Sequence, residues 1–432
     1  MCPLLCIEPS ISMFDTPVSI HVSALSPEQN VTISVLVNYG GNSFESFAHY
    51  VADESGNVDC NSSFSTGGFF TGLHPMGLFW SLKPVAGQQQ SRLLPRDVKQ
   101  PIVYQFSVLN GHVTERSARS LATATVHRHL LHPMVARTEV RVGRLRGALF
   151  MPKKVEGRIP AVIDLFGTAG GLVQHRSALL AAHGFASLSL AYFAYDDLPT
   201  ALDTPVDLGY FQEAAQWLAS QPNIINNKIG IIGVSLGADL ALLAAIHIPL
   251  IKVSVAINFW HMVDPFNPIS FNGEPFPTAK TQFSDITADE QGVLRYRRCR
   301  EQADTTDQLT FAVEQSSSDT RFLLLACTDD QNTPTPLSAK FLKRRFARFG
   351  RKYQCRVEEF QSAGHLLEPP YTPHCYSSFH KSLGLVMKWG GDMYSHAYAQ
   401  EKSWKILKEF LAVNIGPPVE LPEFVVAQKS SL

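Results

Sequence analysis

The sequence predicts an α/β chain, in which a parallel sheet covered by helices follows an all-β sandwich. Three observations predict it. Up to about residue 138, short period-two runs alternate with Gly, Asn and Pro turns, and no helical period competes. From about residue 140, buried-type strands alternate with helix-forming segments, the pattern of a parallel sheet with both faces covered. Within that second part, the apolar run 228–232 leads into Gly233-Val234-Ser235-Leu236-Gly237 and then into Ala238-Asp239-Leu240-Ala241-Leu242, rich in helix formers. Strand, sharp turn and helix are the context of a nucleophile elbow.

The organisation that follows is a β-sandwich over 1–138, an α/β catalytic domain over 139–415 with a cap insert around 260–319, and an extended tail over 416–432. In the sandwich, strands are expected at 18–22, 31–37, 44–51, 103–108 and 122–126. His127-Arg128-His129-Leu130-Leu131-His132 then reads as a partly exposed linker. A metal site is the lesser reading there, because no carboxylate or thiolate stands beside the histidines.

In the second part, strand 159–166 runs into Gly167-Thr168-Ala169-Gly170-Gly171, a Gly-rich loop at a strand's carboxyl end. Helices are expected at 176–183, 208–220, 338–349 and 397–411, and strands at 186–191, 253–258, 321–327 and 355–360. The insert is long enough to act as a lid. Phe266, Phe271 and Phe276 could line an acyl pocket or form the core of a small cap. Lys340, Lys343, Arg344, Arg345, Arg348, Arg351 and Lys352 read first as a solvated basic face, with phosphate attraction as the lesser reading.

Bulk properties narrow the partners. The chain has 432 residues, 45% hydrophobic and 17% charged, with a formal net charge of −1. Near-neutral charge gives no reason to expect nucleic acid or an anionic membrane surface. Seven scattered cysteines without a CxxC suit a reducing compartment. The first residues lack the positive start of a secretory signal, and no apolar run approaches the ~18 residues of a membrane span. The sequons at Asn30 and Asn61 are read as chance occurrences.

The chemistry rests on three residues, each just past a strand: Ser235, an aspartate at Asp329 or Asp330, and His365 after Gly364. This is the chain order of α/β-hydrolases. A serine hydroxyl is a weak nucleophile near neutral pH, so His365 must take its proton and the acid must hold the imidazole. The N–H of Leu236, at the start of a helix, is placed to hold an oxyanion. A second N–H is expected from the Gly-rich loop, at Thr168 or Ala169.

At these residues the sequence resembles the acyl-CoA thioesterases grouped with bile acid-CoA:amino acid N-acyltransferase. Gly364-His365-Leu366-Leu367-Glu368-Pro369-Pro370-Tyr371 is similar to that family's G-H-x-[IL]-E-P-P-Y. The runs 164–172, 191–199 and 72–80, and Trp389-Gly390-Gly391, resemble further signatures, so the likeness spans nearly the whole chain. Ala238 stands where the family often has a second glycine. The resemblance implies an α/β-hydrolase domain preceded by an all-β sandwich, an acyl-CoA substrate and no separate cofactor. It favours Asp330 over Asp329 as the acid.

In that family, hydrolases carry Ser at the nucleophile position and bile-acid conjugating enzymes carry Cys, so Ser235 implies hydrolysis of fatty or bile acyl-CoA. Conjugation to glycine or taurine and non-catalytic acyl-CoA binding are the alternatives. A cytoplasmic location is expected, with a peroxisomal alternative from Ser430-Ser431-Leu432, which lacks the central basic residue of S-K-L.

Overall fold

The computed structural model describes residues 2–88, 91–114, 119–381 and 383–425. The chain forms two compact units, one of Met1–Pro133, Pro370–Cys375 and Glu423–Leu432, the other of Met134–Pro369 and Tyr376–Pro422. Ser430-Ser431-Leu432 lies outside the described residues.

The first unit is the all-β sandwich. Its larger sheet runs in the order Ile11–Met13, Ser120–His129, Ile102–Asn110, Asn30–Tyr39, Asn42–Val51 and Gly67–Gly68; its smaller sheet runs Leu4–Glu8, Ser19–Ser23, Val58–Asp59. Burial alternates as the sequence pattern requires, with Ile20 and Val22 inside on one sheet and Val31, Ile33, Val35 and Val37 on the other. The first half of the stretch expected as a linker, 127–129, is instead the end of strand Ser120–His129, paired in parallel with Ile11–Met13. Its Arg128 is fully buried, donates to the Thr16 carbonyl at 2.6 Å, and lies over the rings of Phe79 and Tyr371. Polar spacing misled there because arginine at an inward position looks like surface. Gly77 opens the short helix Gly77–Trp80, where a Cβ would come within 2.4 Å of the Phe70 ring.

The second unit is built on an eight-stranded sheet. Its strands are β1 (Val135–Val142), β2 (Leu145–Pro152), β3 (Ile159–Leu165), β4 (Ala186–Ala191), β5 (Ile224–Val234), β6 (Ile251–Ile257), β7 (Arg321–Cys327) and β8 (Cys355–Phe360). Their spatial order is β1-β2-β4-β3-β5-β6-β7-β8, antiparallel at the first two pairings and parallel from β4 onward. The helices α1 (His175–Ala182), α2 (Leu208–Ala219), α3 (Leu236–His247), α4 (Thr335–Arg348) and α5 (Met393–Ile415) complete the α/β-hydrolase architecture. The expected division at 138 falls inside β1, and the two units divide at Pro133/Met134. Strand β3 is buried at every residue, as a central parallel strand must be. Helix α3 is buried on all sides apart from its last residue, so its sequence carries no amphipathic stripe.

The insert is a packed layer with its own small core of Trp260, Met262, Ala279 and Ala303. A buried ion pair, Arg300 Nη2 to Asp264 Oδ2 at 2.5 Å, lies beside it. Phe271 and Phe276 pack on the main core, with ring centroids 6.0 and 5.2 Å from the ring of His247. Both are half-buried at the edge of that core. The basic face of α4 is partly engaged: Arg345 donates to Glu314 at 2.8 Å, and Arg348 pairs with Asp307. Arg146 binds Asp197 through Nε at 2.6 Å and Nη2 at 2.7 Å, which gives the run 191–199 a structural role.

All seven cysteines are free thiols. Among the described residues no group of three or more His, Cys, Asp or Glu side chains could hold a metal ion, and no helix is long and apolar enough to cross a membrane.

His261 links the insert to α4. Its ring stacks on Phe341 with centroids 4.6 Å apart, and its Nδ1 lies 3.1 Å from Ser338 Oγ. Burial lowers its pKa from 6.5 to about 3. Between those values the unfolded chain binds a proton that the folded chain refuses. Stability is therefore complete above pH 6.5 and falls toward pH 3 by about 1.4 kcal/mol per pH unit from this residue. Urea unfolding of the protein and of His261→Gln at pH 7 and pH 5 checks this: the variant should lose less stability on acidification.

Candidate active site

Ser235 sits between β5 and α3 with φ 58° and ψ −131°, a conformation non-glycine residues rarely hold. Two close approaches enforce it. A Cβ on Gly233 would lie 1.9 Å from the Gly237 carbonyl oxygen, and one on Gly237 would lie 2.6 Å from that of Phe166. The turn closes only with glycine at both positions. The Ser235 N–H donates to Ile257 O at 3.0 Å, which ties the elbow to the end of β6. Ala238 is completely buried in the core.

Asp330 follows β7 and His365 follows β8, and the fold brings them together with Oδ2 to Nδ1 at 2.7 Å. Both are buried, at 0% and 1% side-chain exposure. Asp330 also accepts from the N–H groups of Asn332 and Thr333, each at 2.8 Å, and from Thr335 Oγ1 at 3.0 Å. These donors fix the plane of the carboxylate. Asp329 faces elsewhere, accepting from Gly391 N at 2.8 Å and from Gln331 Nε2 at 2.5 Å. Of the two aspartates, Asp330 is the one that His365 meets.

The backbone around His365 is held by side chains from separate elements. Asn258, just past β6, donates through Nδ2 to His365 O at 2.7 Å and Gly364 O at 3.2 Å, and its Oδ1 accepts from Cys327 N at 2.9 Å. The Gly364 N–H donates to His396 Nδ1 at 3.1 Å, so the His396 proton is on Nε2, which donates to Leu366 O at 3.0 Å. His365 N donates to Trp389 O at 2.9 Å, and the indole of Trp389 stacks on the His365 ring with centroids 5.5 Å apart and planes 14° apart. Gly364 is required because a Cβ would lie 2.3 Å from Gly390 O.

The Gly-rich loop lies against Ser235. A Cβ on Gly167 would come within 2.9 Å of Ser235 Cβ and 3.4 Å of its Oγ. Gly170 N donates to Gly167 O at 3.2 Å and Gly171 N to Phe193 O at 3.0 Å. Among the described residues, Thr168 and Ala169 make no main-chain bond through their N–H groups. Both ends of the loop are anchored. Arg176 Nε donates to Asp164 Oδ1 at 2.7 Å and Ser177 Oγ to Asp164 Oδ2 at 2.9 Å, all buried. Tyr192 Oη donates to Phe166 O at 2.7 Å, and His175 Nε2 is 2.5 Å from Glu368 Oε2.

Nothing in the sequence reading assigns Asn258, Trp389 or His396 to this site. A polar residue ending the apolar strand before the insert was the available signal for Asn258. Asn258→Asp keeps the size and the positive φ preference but loses both donated bonds. The cost of an unmet buried carbonyl, about 1–3 kcal/mol, expressed in the placement of His365 corresponds to a fall in kcat of about 5- to 150-fold. Steady-state kinetics with KM as the control checks this.

Comparison with known proteins agrees with the architecture. Residues 206–417 match the family model described as BAAT / acyl-CoA thioester hydrolase C terminal, and residues 15–142 match the acyl-CoA thioester hydrolase/BAAT N-terminal region. The chain is 37% identical over 415 residues to bile acid-CoA:amino acid N-acyltransferase of Mus musculus, covering 95% of this chain and 97% of that protein. It is 37% identical over 412 residues to acyl-coenzyme A thioesterase 1 of Mus musculus, covering 95% and 96%. Acyl-coenzyme A amino acid N-acyltransferase 2 of Rattus norvegicus is also 37% identical, over 407 residues, covering 93% and 96%. With both domains matched in order and the strand–elbow–helix, Asp–His pair and Gly-rich loop in place, this chain belongs to the acyl-CoA thioester hydrolase/BAAT family.

Proposed function

We propose that the protein is an acyl-CoA thioesterase acting through a triad of Ser235, Asp330 and His365. The observation that carries this reading is a serine on a strained elbow, in a chain of this family, with a buried His365–Asp330 pair at 2.7 Å. His365 Nε2 takes the Ser235 proton as Oγ attacks the thioester carbonyl. Asp330 holds the Nδ1 proton and stabilises the imidazolium that forms. The tetrahedral oxyanion is held by the N–H of Leu236 and by that of Thr168 or Ala169, each worth about 3 kcal/mol of barrier. CoA leaves as thiolate, and His365 then activates water against the acyl-serine. The products are a carboxylic acid and CoA, and no further cofactor takes part.

Sequence identity is the same, 37%, to the thioesterase and to the N-acyltransferase, so it does not choose between them. The atom at position 235 does. An acyl-cysteine would be a thioester, readily attacked by an amine. An acyl-serine is an oxyester, less reactive to amines, for which a base-activated water is the matched nucleophile.

CoA release and product mass are to be measured on a panel of fatty and bile acyl-CoAs, with and without glycine and taurine. Free acid should dominate in every case; a dominant amide would overturn hydrolysis in favour of conjugation. Ser235→Cys should raise the amide share. Ser235→Ala should abolish both turnover and labelling by a fluorophosphonate probe, and equal labelling would remove Ser235 from the mechanism. Asp330→Asn should lower kcat by about 10⁴-fold without loss of the fold, as judged by circular dichroism.

A further inference from the structure

Two short strands outside the main sheet, β9 (Ser377–His380) and β10 (Leu385–Lys388), form an antiparallel hairpin in the second unit. The hairpin delivers Trp389 onto His365. Trp389 Nε1 donates to Ser378 Oγ at 2.8 Å, and Trp389 N donates to Tyr376 O at 2.7 Å, so the indole plane is set by the hairpin. Two residues beyond Ser378, on the same face of β9, stands His380. Its side chain is 94% buried by relative exposure (6% exposed), and its ring is 6.1 Å from that of Trp389. Its Nε2 forms a hydrogen bond of 3.1 Å with Thr168 Oγ1, across 212 residues of sequence.

Thr168 is one of the residues proposed to supply the second oxyanion donor. The neighbouring backbone is pinned by its own bonds: Tyr192 on Phe166 O, Gly170 on Gly167 O, and Gly171 on Phe193 O. The peptide that carries the Thr168 N–H is held at Gly167 O, whereas the next one, Thr168 C=O to Ala169 N–H, lacks such main-chain restraint among the described residues. The Thr168 side chain is therefore the handle by which this part of the loop can be oriented, and His380 holds that handle. Resting on the triad reading above, we infer that His380 is a positioning residue for the oxyanion hole, acting through Thr168. The hairpin then sets both halves of the reaction geometry, His365 through Trp389 and the oxyanion donors through His380. A donor misplaced by about 1 Å loses about 10²-fold in rate, so one hydrogen bond at this position is enough to matter.

The test compares His380→Leu, His380→Gln, Thr168→Val and the double variant His380→Leu/Thr168→Val. The readouts are kcat, KM, affinity for a long-chain alkyl trifluoromethyl ketone, whose hydrated or serine-bound form mimics the tetrahedral oxyanion, and thermal unfolding. His380→Leu should lower kcat by about 10- to 100-fold and weaken the ketone by the same factor, with KM changed less than about threefold. His380→Gln, which can place an amide near the Nε2 position, should recover part of the loss. Thr168→Val should reproduce the His380→Leu effect, and the double variant should be no worse than either single one.

Unchanged kcat and ketone affinity in both His380→Leu and Thr168→Val would overturn the inference. So would fully additive losses in the double variant. If His380→Leu does not fold, Thr168→Val against Thr168→Ser carries the same comparison, because serine keeps the hydroxyl: equal activity of the two overturns the inference. Ser235→Ala separates the two levels. Residual full activity in that variant defeats the triad itself, whereas an inactive Ser235→Ala beside a wild-type-like His380→Leu defeats only the role of His380.

Discussion

The carboxamide of Asn258 is the joint on which the site hangs. One side chain, at the end of β6, accepts from the backbone of β7 and donates to the carbonyls of Gly364 and His365. It thereby sets the distance between three consecutive structural layers: the strand beside the elbow, the strand that ends near Asp330, and the turn that carries His365. The bonds are buried, so each is electrostatically stronger than in water and each is costly to leave unmade. Ser235 is hung from the same point, because its N–H reaches Ile257, the residue before Asn258. The elbow and His365 thus share one reference frame.

That frame explains the glycines of the site as steric necessities. Gly233 and Gly237 let strand and helix close on Ser235. Gly364 and Gly390 let the His365 turn press on the segment after Trp389, where a Cβ at Gly390 would lie 2.2 Å from Asp329 O. Asp329 and Asp330, adjacent in sequence, point to different partners as a result: Asp329 to the Gly391 amide and Asp330 to His365. The difference arises from the direction of two successive side chains.

Much of the site was legible because α/β sheets put reactive residues at strand ends. Ser235, Asp330 and His365 each follow a strand, in an order that only one common arrangement satisfies, and Gly167 to Gly171 follow a fourth. The parts that were not legible act across long loops. Asn258 reaches His365 over 107 residues and His380 reaches Thr168 over 212, and neither spacing leaves a local pattern. Arg128 failed in the opposite sense: a polar residue between two histidines suggested a linker, but aromatic faces and backbone carbonyls accommodate it inside a strand. Phe271 and Phe276 could not be placed from sequence, since apolar aromatics suit a substrate pocket and a core equally well.

By itself the sequence determined the two-part architecture, the elbow at Ser235, the order in which Asp330 and His365 follow it, and the hydroxyl oxygen carried on that elbow. These follow from local periodicity, glycine placement and atom identity, which do not depend on distant contacts. Only the tertiary structure decided which of two aspartates meets His365, that Phe271 and Phe276 pack half-buried against the main core, and that a hairpin after His365 touches both His365 and the Gly-rich loop. The physical reason is directional: hydrogen bonds and ring contacts depend on where side chains point after packing, and packing joins residues that the chain keeps far apart.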